Sequence, residues 1–215
     1  MTKFIIHHKE ILKKDRLKEE KMDLIKIYNN MKEIVLKEGY QHEIEWVKNI
    51  PKEPSKEVFF TEYVWVVCSS GMKNSIARKI FNNFCNNEDL NFQAIKHPHK
   101  KKAIKQVFKR LDFYYEHFKK SKNKLMFLKN LPHIGDITKY HLARNLGINV
   151  AKPDRHLKRI SNLFDFNNVQ DFCNEISQST DDSIATIDLI IWRYATLVPN
   201  YLEILKNRNK NNKKE

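Results

Sequence analysis

Between its glycines and prolines the chain follows a helical period. Apolar residues return at i, i+3 and i+4 over long stretches, and glycine interrupts them only at Gly39, Gly71, Gly135 and Gly147. The spacing predicts helices near Lys14–Lys37, Glu57–Ser69, Lys73–Cys85, Lys100–Phe118, Lys122–Lys129, Ile137–Leu146, Asp154–Leu163, Val169–Ile176, Ser183–Leu197 and Asn200–Lys206. Two runs, Val64–Val67 and Leu189–Trp192, are apolar enough for strands, but each sits inside a longer segment without flanking turn signals. Buried helix is therefore expected at both, and the fold class is all-α. The tail from Lys206 to Glu215 is Lys and Asn with almost nothing to bury, which predicts disorder.

Length and composition narrow the class. A chain of 215 residues can hold one ordinary domain or two small interlocked ones, each with a hydrophobic core. Cys68, Cys85 and Cys173 show no pair at zinc-ligand spacing, and three thiols cannot supply a four-thiolate cluster, so no iron–sulfur cluster is expected. Nowhere do about 18 apolar residues run together, as a membrane span would need. The expectation is a soluble, unexported protein in a reduced, cytoplasmic setting, acting as a monomer without membrane contact.

A formal charge of +14 adds an attraction for polyanions, of which nucleic acid is the commonest in that compartment. Lys- and Asn-rich chains also arise from A·T-biased genomes, so charge alone decides little. Its distribution says more. From Lys96 to Lys129 twelve Lys or Arg residues face only Asp112 and Glu116, interleaved with Phe108, Phe113, Tyr114, Tyr115 and Phe118. This reads as a solvated helical face or as a stripe that tracks a phosphate backbone, with Lys100, Lys101 and Lys102 at its start.

Just downstream, residues 129–147 read as helix, five-residue hairpin, helix and glycine stop. Leu131-Pro132 ends the first helix, and Gly135 lets the backbone pass close to a partner. Free amides at Gly135, Asp136 and Ile137 then open the next helix. Unpaired donors at the positive end of a helix dipole make a seat for a backbone phosphate that reads no sequence. Past Gly147 comes Lys152-Pro153-Asp154-Arg155-His156-Leu157, with Asp154, seven residues beyond the glycine, where a helix begins. By itself Asp154 is an ordinary helix N-cap, worth about 1 kcal/mol.

Together the Leu131-Pro132-His133-Ile134-Gly135 hairpin and the Pro153-Asp154-Arg155-His156 segment resemble the helix-hairpin-helix/Gly-Pro-Asp superfamily of base-excision DNA glycosylases. The match is close over about Leu128 to Ile160. It implies two all-α lobes flanking a DNA cleft, a helical barrel over residues 57–163 and a second lobe from 1–56 plus 164–205. It further implies that Leu131, His133, Ile134, Gly135, Asp136, Ile137, Thr138 and Lys139 hold the DNA backbone, with a monovalent cation on the hairpin carbonyls in many members. Asp154 matches the catalytic aspartate and His156 the histidine two positions on, with Lys152 and Arg155 as further DNA contacts. The loop Ser69–Asn74 lies where the family carries a wedge that fills the gap left by a flipped base, which nominates Met72.

Two departures matter. His133 replaces the first hairpin glycine, a turn that histidine tolerates better than most residues. Ile137 stands where bifunctional members carry the lysine that attacks the sugar, and Lys139 is roughly 200° round the helix from it. The expected activity is thus a monofunctional glycosylase acting on double-stranded DNA with a damaged or modified base. A carboxylate at Asp154 would stabilise an oxocarbenium-like sugar and orient or deprotonate water. The rivals are a non-enzymatic helix-hairpin-helix DNA-binding module and a glycosylase/lyase with its lysine at Lys129 or Lys152. Tyr63, Trp65, Phe127 and Trp192 fit a base pocket, but core packing is the commoner fate of such positions. His7-His8 and His97-Pro98-His99 lack ligand companions and read as surface histidines, and His141 as a helix-face residue.

Overall fold

A computed structural model describes residues 21–86 and 90–212, and those residues contain helices and no β-strand. His7-His8 and the start of the helix expected from Lys14 lie outside them. Packing divides the chain into two compact units, Asn49–Lys152 in one and Met1–Lys48 with Pro153–Glu215 in the other.

The continuous unit is organised on α3 (Lys56–Ser69), whose N-cap Ser55 accepts the Val58 amide. Phe59, Phe60, Tyr63, Val64, Val66, Val67 and Cys68 are all buried, so the helix is apolar over most of its circumference, with Glu57, Val58 and Thr61 left exposed. Helices α4 (Asn74–Cys85), α5 (Pro98–Lys109), α6 (Leu111–Lys120) and α8 (Thr138–Asn145) all pack against it, and α7 (Lys124–Lys129) packs on α8. Full burial of each large side chain contributes about 1.5–3 kcal/mol. Val64–Val67 thus lies within a helix, as its uninterrupted setting suggests.

The single helix expected over Lys100–Phe118 is two. At Arg110 the backbone leaves the helical region (φ −126°, ψ 32°), and its guanidinium lies 4.3 Å from the centre of the Phe113 ring. The break lets α5 and α6 each turn an apolar face to α3. A short 3-10 turn, Phe92–Ala94, also precedes α5. Gly147 closes the unit: its φ is +80°, and a Cβ there would be driven into the Pro51 carbonyl, so only glycine fits.

The second unit packs α1 (21–37), α2 (Gln41–Lys48), α9 (Arg155–Leu163), α10 (Val169–Ser177) and α12 (Tyr201–Asn212) with the buried α11 (Ile184–Leu197). Helix α11 contacts α2, α9 and α10, and α12 contacts α9. Leu189–Trp192 is helical here. In α10, Val169, Phe172, Cys173 and Ile176 form the buried stripe. Helix α2 is held by Ile44, Val47 and a two-pronged Glu43–Arg193 ion pair. The backbone of α12 continues past Lys206 to Asn212, where composition alone predicts disorder. Its anchors are buried Tyr201 and Leu205, and Arg208, which donates to the Asn30 side chain at 2.6 Å.

Candidate nucleic-acid interface

Asn123 caps α7 by accepting the Met126 amide, and the chain then turns sharply. Leu131 and Ile134 are buried and root the turn in the core, while the Ile134 amide closes it on the Leu131 carbonyl at 3.1 Å. Tyr63, fully buried in α3, donates its hydroxyl to the Pro132 carbonyl at 2.8 Å. The turn is therefore fixed from below by the most buried helix of the unit. His133 occupies the left-handed region at φ +65°, with its ring exposed. In front of Gly135 the space is open, since a Cβ there would meet nothing nearer than Thr138 Oγ1 at 3.9 Å.

The amides at the start of α8 differ in one respect from expectation. Gly135 N–H is not free: it donates to Thr138 Oγ1 at 2.7 Å, an internal cap. Among the described residues the amides of Asp136, Ile137 and Thr138 have no acceptor. The outward-facing donor set is thus shifted one residue along the chain. The Asp136 carboxylate takes Lys129 at 2.8 Å and Lys139 at 3.1 Å, and these two hydrogen bonds hold its pKa below the usual carboxylate range. Ile137 is exposed at the N-cap position, and Lys139 is turned onto Asp136.

Met72 lies half-buried in the turn between α3 and α4, where Gly71 has φ +65° and the Met72 amide donates to the Ser69 carbonyl. Lys100 belongs to this turn and not to the basic stripe. It is only 6 % exposed, and its ammonium donates to the carbonyls of Cys68 (3.0 Å) and Ser70 (2.7 Å), finishing the C-terminus of α3. Lys101 and Lys102 remain at the surface or close to it. His97 is the N-cap of α5, its ring accepting the Lys100 amide at 3.4 Å.

One polar group drew no attention in the sequence. Glu62 on α3 accepts the Asn145 side-chain amide at 2.7 Å, with burial pushing its carboxyl up against the pull of Asn145, Arg78 and Arg144. Arg144 and Asn145 are buried on α8, and His141 beside them is driven well below its ordinary pKa by burial and by the charges of Lys152 and Arg144. The available signal was a lone acid, Glu62, inside the apolar run of α3.

Asp154, Arg155 and His156 belong to the other unit. Asp154 Oδ1 accepts the amides of His156 (2.9 Å) and Leu157 (3.1 Å), so the residue caps α9. Both bonds use one oxygen, and Oδ2 accepts none from the described residues. Arg155 Nε donates to His156 Nε2 at 3.2 Å, and the other ring nitrogen lies 2.9 Å from the Tyr201 hydroxyl. Of the aromatic candidates, Tyr63 is core, Trp65 packs edge-on to Phe81 with Arg78 above it, Phe127 packs against Phe118, and Trp192 lies beside Arg193. Among the described residues no three His, Cys, Asp or Glu side chains are grouped as a metal site, and no helix is long and apolar enough to cross a membrane.

In comparisons with known proteins, no family model, no curated protein and no solved structure matches the chain. Function must therefore be argued from these residues.

Proposed function

We propose that the protein is a monofunctional DNA glycosylase that hydrolyses the N-glycosidic bond of a damaged or modified base in double-stranded DNA. The observation that carries this reading is the start of α8. A turn rooted by Leu131, Ile134 and Tyr63 leaves the amides of Asp136, Ile137 and Thr138 without internal acceptors, beneath open space at Gly135. Such donors grip a phosphate without reading sequence. The chain supplies the acid the chemistry needs at Asp154, whose Oδ2 has no partner among the described residues while Oδ1 fixes the carboxylate on α9. That oxygen stabilises positive charge on the sugar and aligns water for attack. A monovalent cation at the hairpin would draw on second lone pairs, because the Leu131 and Pro132 carbonyls already accept the Ile134 amide and the Tyr63 hydroxyl.

Product chemistry follows from the same residues. Ile137 has no amine and Lys139 is paired with Asp136, so the product is an unbroken strand bearing an abasic site, cleaved only by added alkali. Covalent trapping by borohydride, followed through Lys129, Lys139 and Lys152 substitutions, would locate a nucleophile and replace this reading with a glycosylase/lyase.

The N-cap bonds of Asp154 favour one rival, a passive DNA-binding module in which the carboxylate only starts a helix. A base-release assay over duplexes carrying alkylated purines, oxidised guanine, uracil and other modified bases separates the two. Asp154→Asn keeps the cap, since Asn caps as well as Asp, but removes the negative charge. Base release by the wild type and its loss in the variant, with duplex binding held within a few-fold, is the expected result. Equal turnover in both, or none in either, rejects the glycosylase.

A further inference from the structure

We propose that His133, His97 and His99, backed by the buried Lys100 ammonium, form a second phosphate seat beside the hairpin that grips a phosphodiester of the bound strand more tightly when the His99 and His133 imidazoles are protonated. The inference rests on the DNA-binding part of the reading above and specifies how the hairpin holds the backbone.

The three rings come from two segments. His97 and His99 flank Pro98 at the start of α5, with ring centres 5.8 Å apart, and the His133 ring meets His97 edge-on at 6.3 Å. All three residues are exposed. Behind them Lys100 is more than nine-tenths buried, its partners are the carbonyls of Cys68 and Ser70, and among the described residues no carboxylate pairs with it. An ammonium carries three donors, so one remains unassigned. A buried charge without a counter-charge is costly, and here the missing partner is an anion.

The field at His133 points the same way. Burial, then Lys100, His97 and His99, push its pKa below the ordinary histidine value, and among the described residues no acid opposes them. Cys68, the titratable group of α3 next to Lys100, has its thiol pushed up to about 11 by burial and is uncharged. The one carboxylate at the start of α8, Asp136, is already taken by Lys129 and Lys139. A phosphodiester placed against the rings reverses the balance. It accepts an N–H from each imidazole, offsets the Lys100 charge and favours the protonated forms of His99 and His133, while His97 stays neutral because its Nδ1 accepts the Lys100 amide, so binding takes up protons and strengthens as pH falls.

The backbone makes the seat testable without unfolding it. Asn tolerates the positive φ of His133 and is a good N-cap at His97, so His97→Asn with His133→Asn keeps both local structures. Anisotropy titration with an unmodified duplex, at constant ionic strength between pH 5.5 and 8, should show wild-type affinity rising as pH falls. The double variant should bind roughly tenfold more weakly at pH 6 and lose most of that dependence. In the wild type, the imidazole resonances of His97, His99 and His133 should move on adding duplex, with the His133 titration midpoint shifted upward, while exposed His117 stays in place. Rings that do not respond, or a variant with the wild-type pH profile, overturn the seat. Base release is read separately: its absence with a responsive seat sinks the glycosylase and leaves the seat, and its presence with silent histidines does the reverse.

Discussion

Asp182, in the unit made from two stretches of chain, and Lys100, in the continuous unit, are both charged and both shut away from water, yet their surroundings are opposite. Asp182 is 2 % exposed and is met by the Tyr28 hydroxyl at 2.7 Å and by the ammonium groups of Lys32 (2.6 Å) and Lys48 (3.0 Å). Burial alone would raise its pKa, but the contacts with Lys32, Tyr28 and Lys48 outweigh it and hold the carboxylate below its ordinary range. Lys100 has two neutral carbonyls and three histidines for company. A charge answered by opposite charges ties helices together, even though Asp182 Oδ1 meets Lys48 only as an ion pair and accepts no hydrogen bond. One answered only by dipoles leaves a field that reaches outward, where a ligand can complete it.

The largest effect should come from removing the answered charge. Asp182→Ala leaves the Tyr28 hydroxyl and two lysines without their acceptor and should cost about 3 kcal/mol, less than a fully buried pair because both lysines reach solvent. Denaturant unfolding at pH 7 measures it. Because the folded pKa of Asp182 is depressed, its contribution is complete above the unfolded carboxylate value of about 4 and is lost as pH falls through the lower folded value. The variant should therefore lose less stability than the wild type on acidification below pH 5. Equal acid profiles would remove Asp182 from the account.

Lys100→Met should cost less, about 1–2 kcal/mol, because two carbonyls at the end of α3 lose a donor while an uncompensated buried charge also disappears. Thermal unfolding reads that cost, and a loss equal to that of Asp182→Ala would mean that Lys100 is answered by something other than carbonyls. The smallest effect on stability belongs to Lys101→Glu with Lys102→Glu, within about 0.5 kcal/mol at these surface positions. If the stripe touches DNA, the slope of log K against log salt should flatten by about one per lysine removed. An unchanged slope confines the footprint to the hairpin.

The apolar period made most helices readable, because α3, α9, α10 and α11 each bury a face against their neighbours and so repeat it over more than two turns. Where burial depends on distant partners the pattern fell silent. Helix α2 buries only Ile44 and Val47, too few to show a period, and is secured by Arg193 far along the chain. The break at Arg110 carries neither glycine nor proline, since it is imposed by packing on α3. Lys100 sits in a run of three lysines and looks like its neighbours, but the carbonyls that bury it lie on α3. At the candidate site, the hairpin and the Asp154 cap were legible from their punctuation. The capture of the Gly135 amide by Thr138 was not, because a threonine rotamer decides it.

The discontinuous make-up of one unit bears on synthesis. Residues 49–152 contain every element of their own unit and can close their core as soon as they leave the ribosome. Residues 21–48 emerge first, but Leu24, Ile27, Tyr28, Met31 and Val35 line a core shared with helices that do not yet exist, and Tyr28 and Lys32 wait for Asp182. During that interval α1 displays an unclaimed apolar stripe. A holdase should find its most accessible target there, and a translational stall before Asp182 should yield chains that aggregate through this segment even though the later-made unit has already folded.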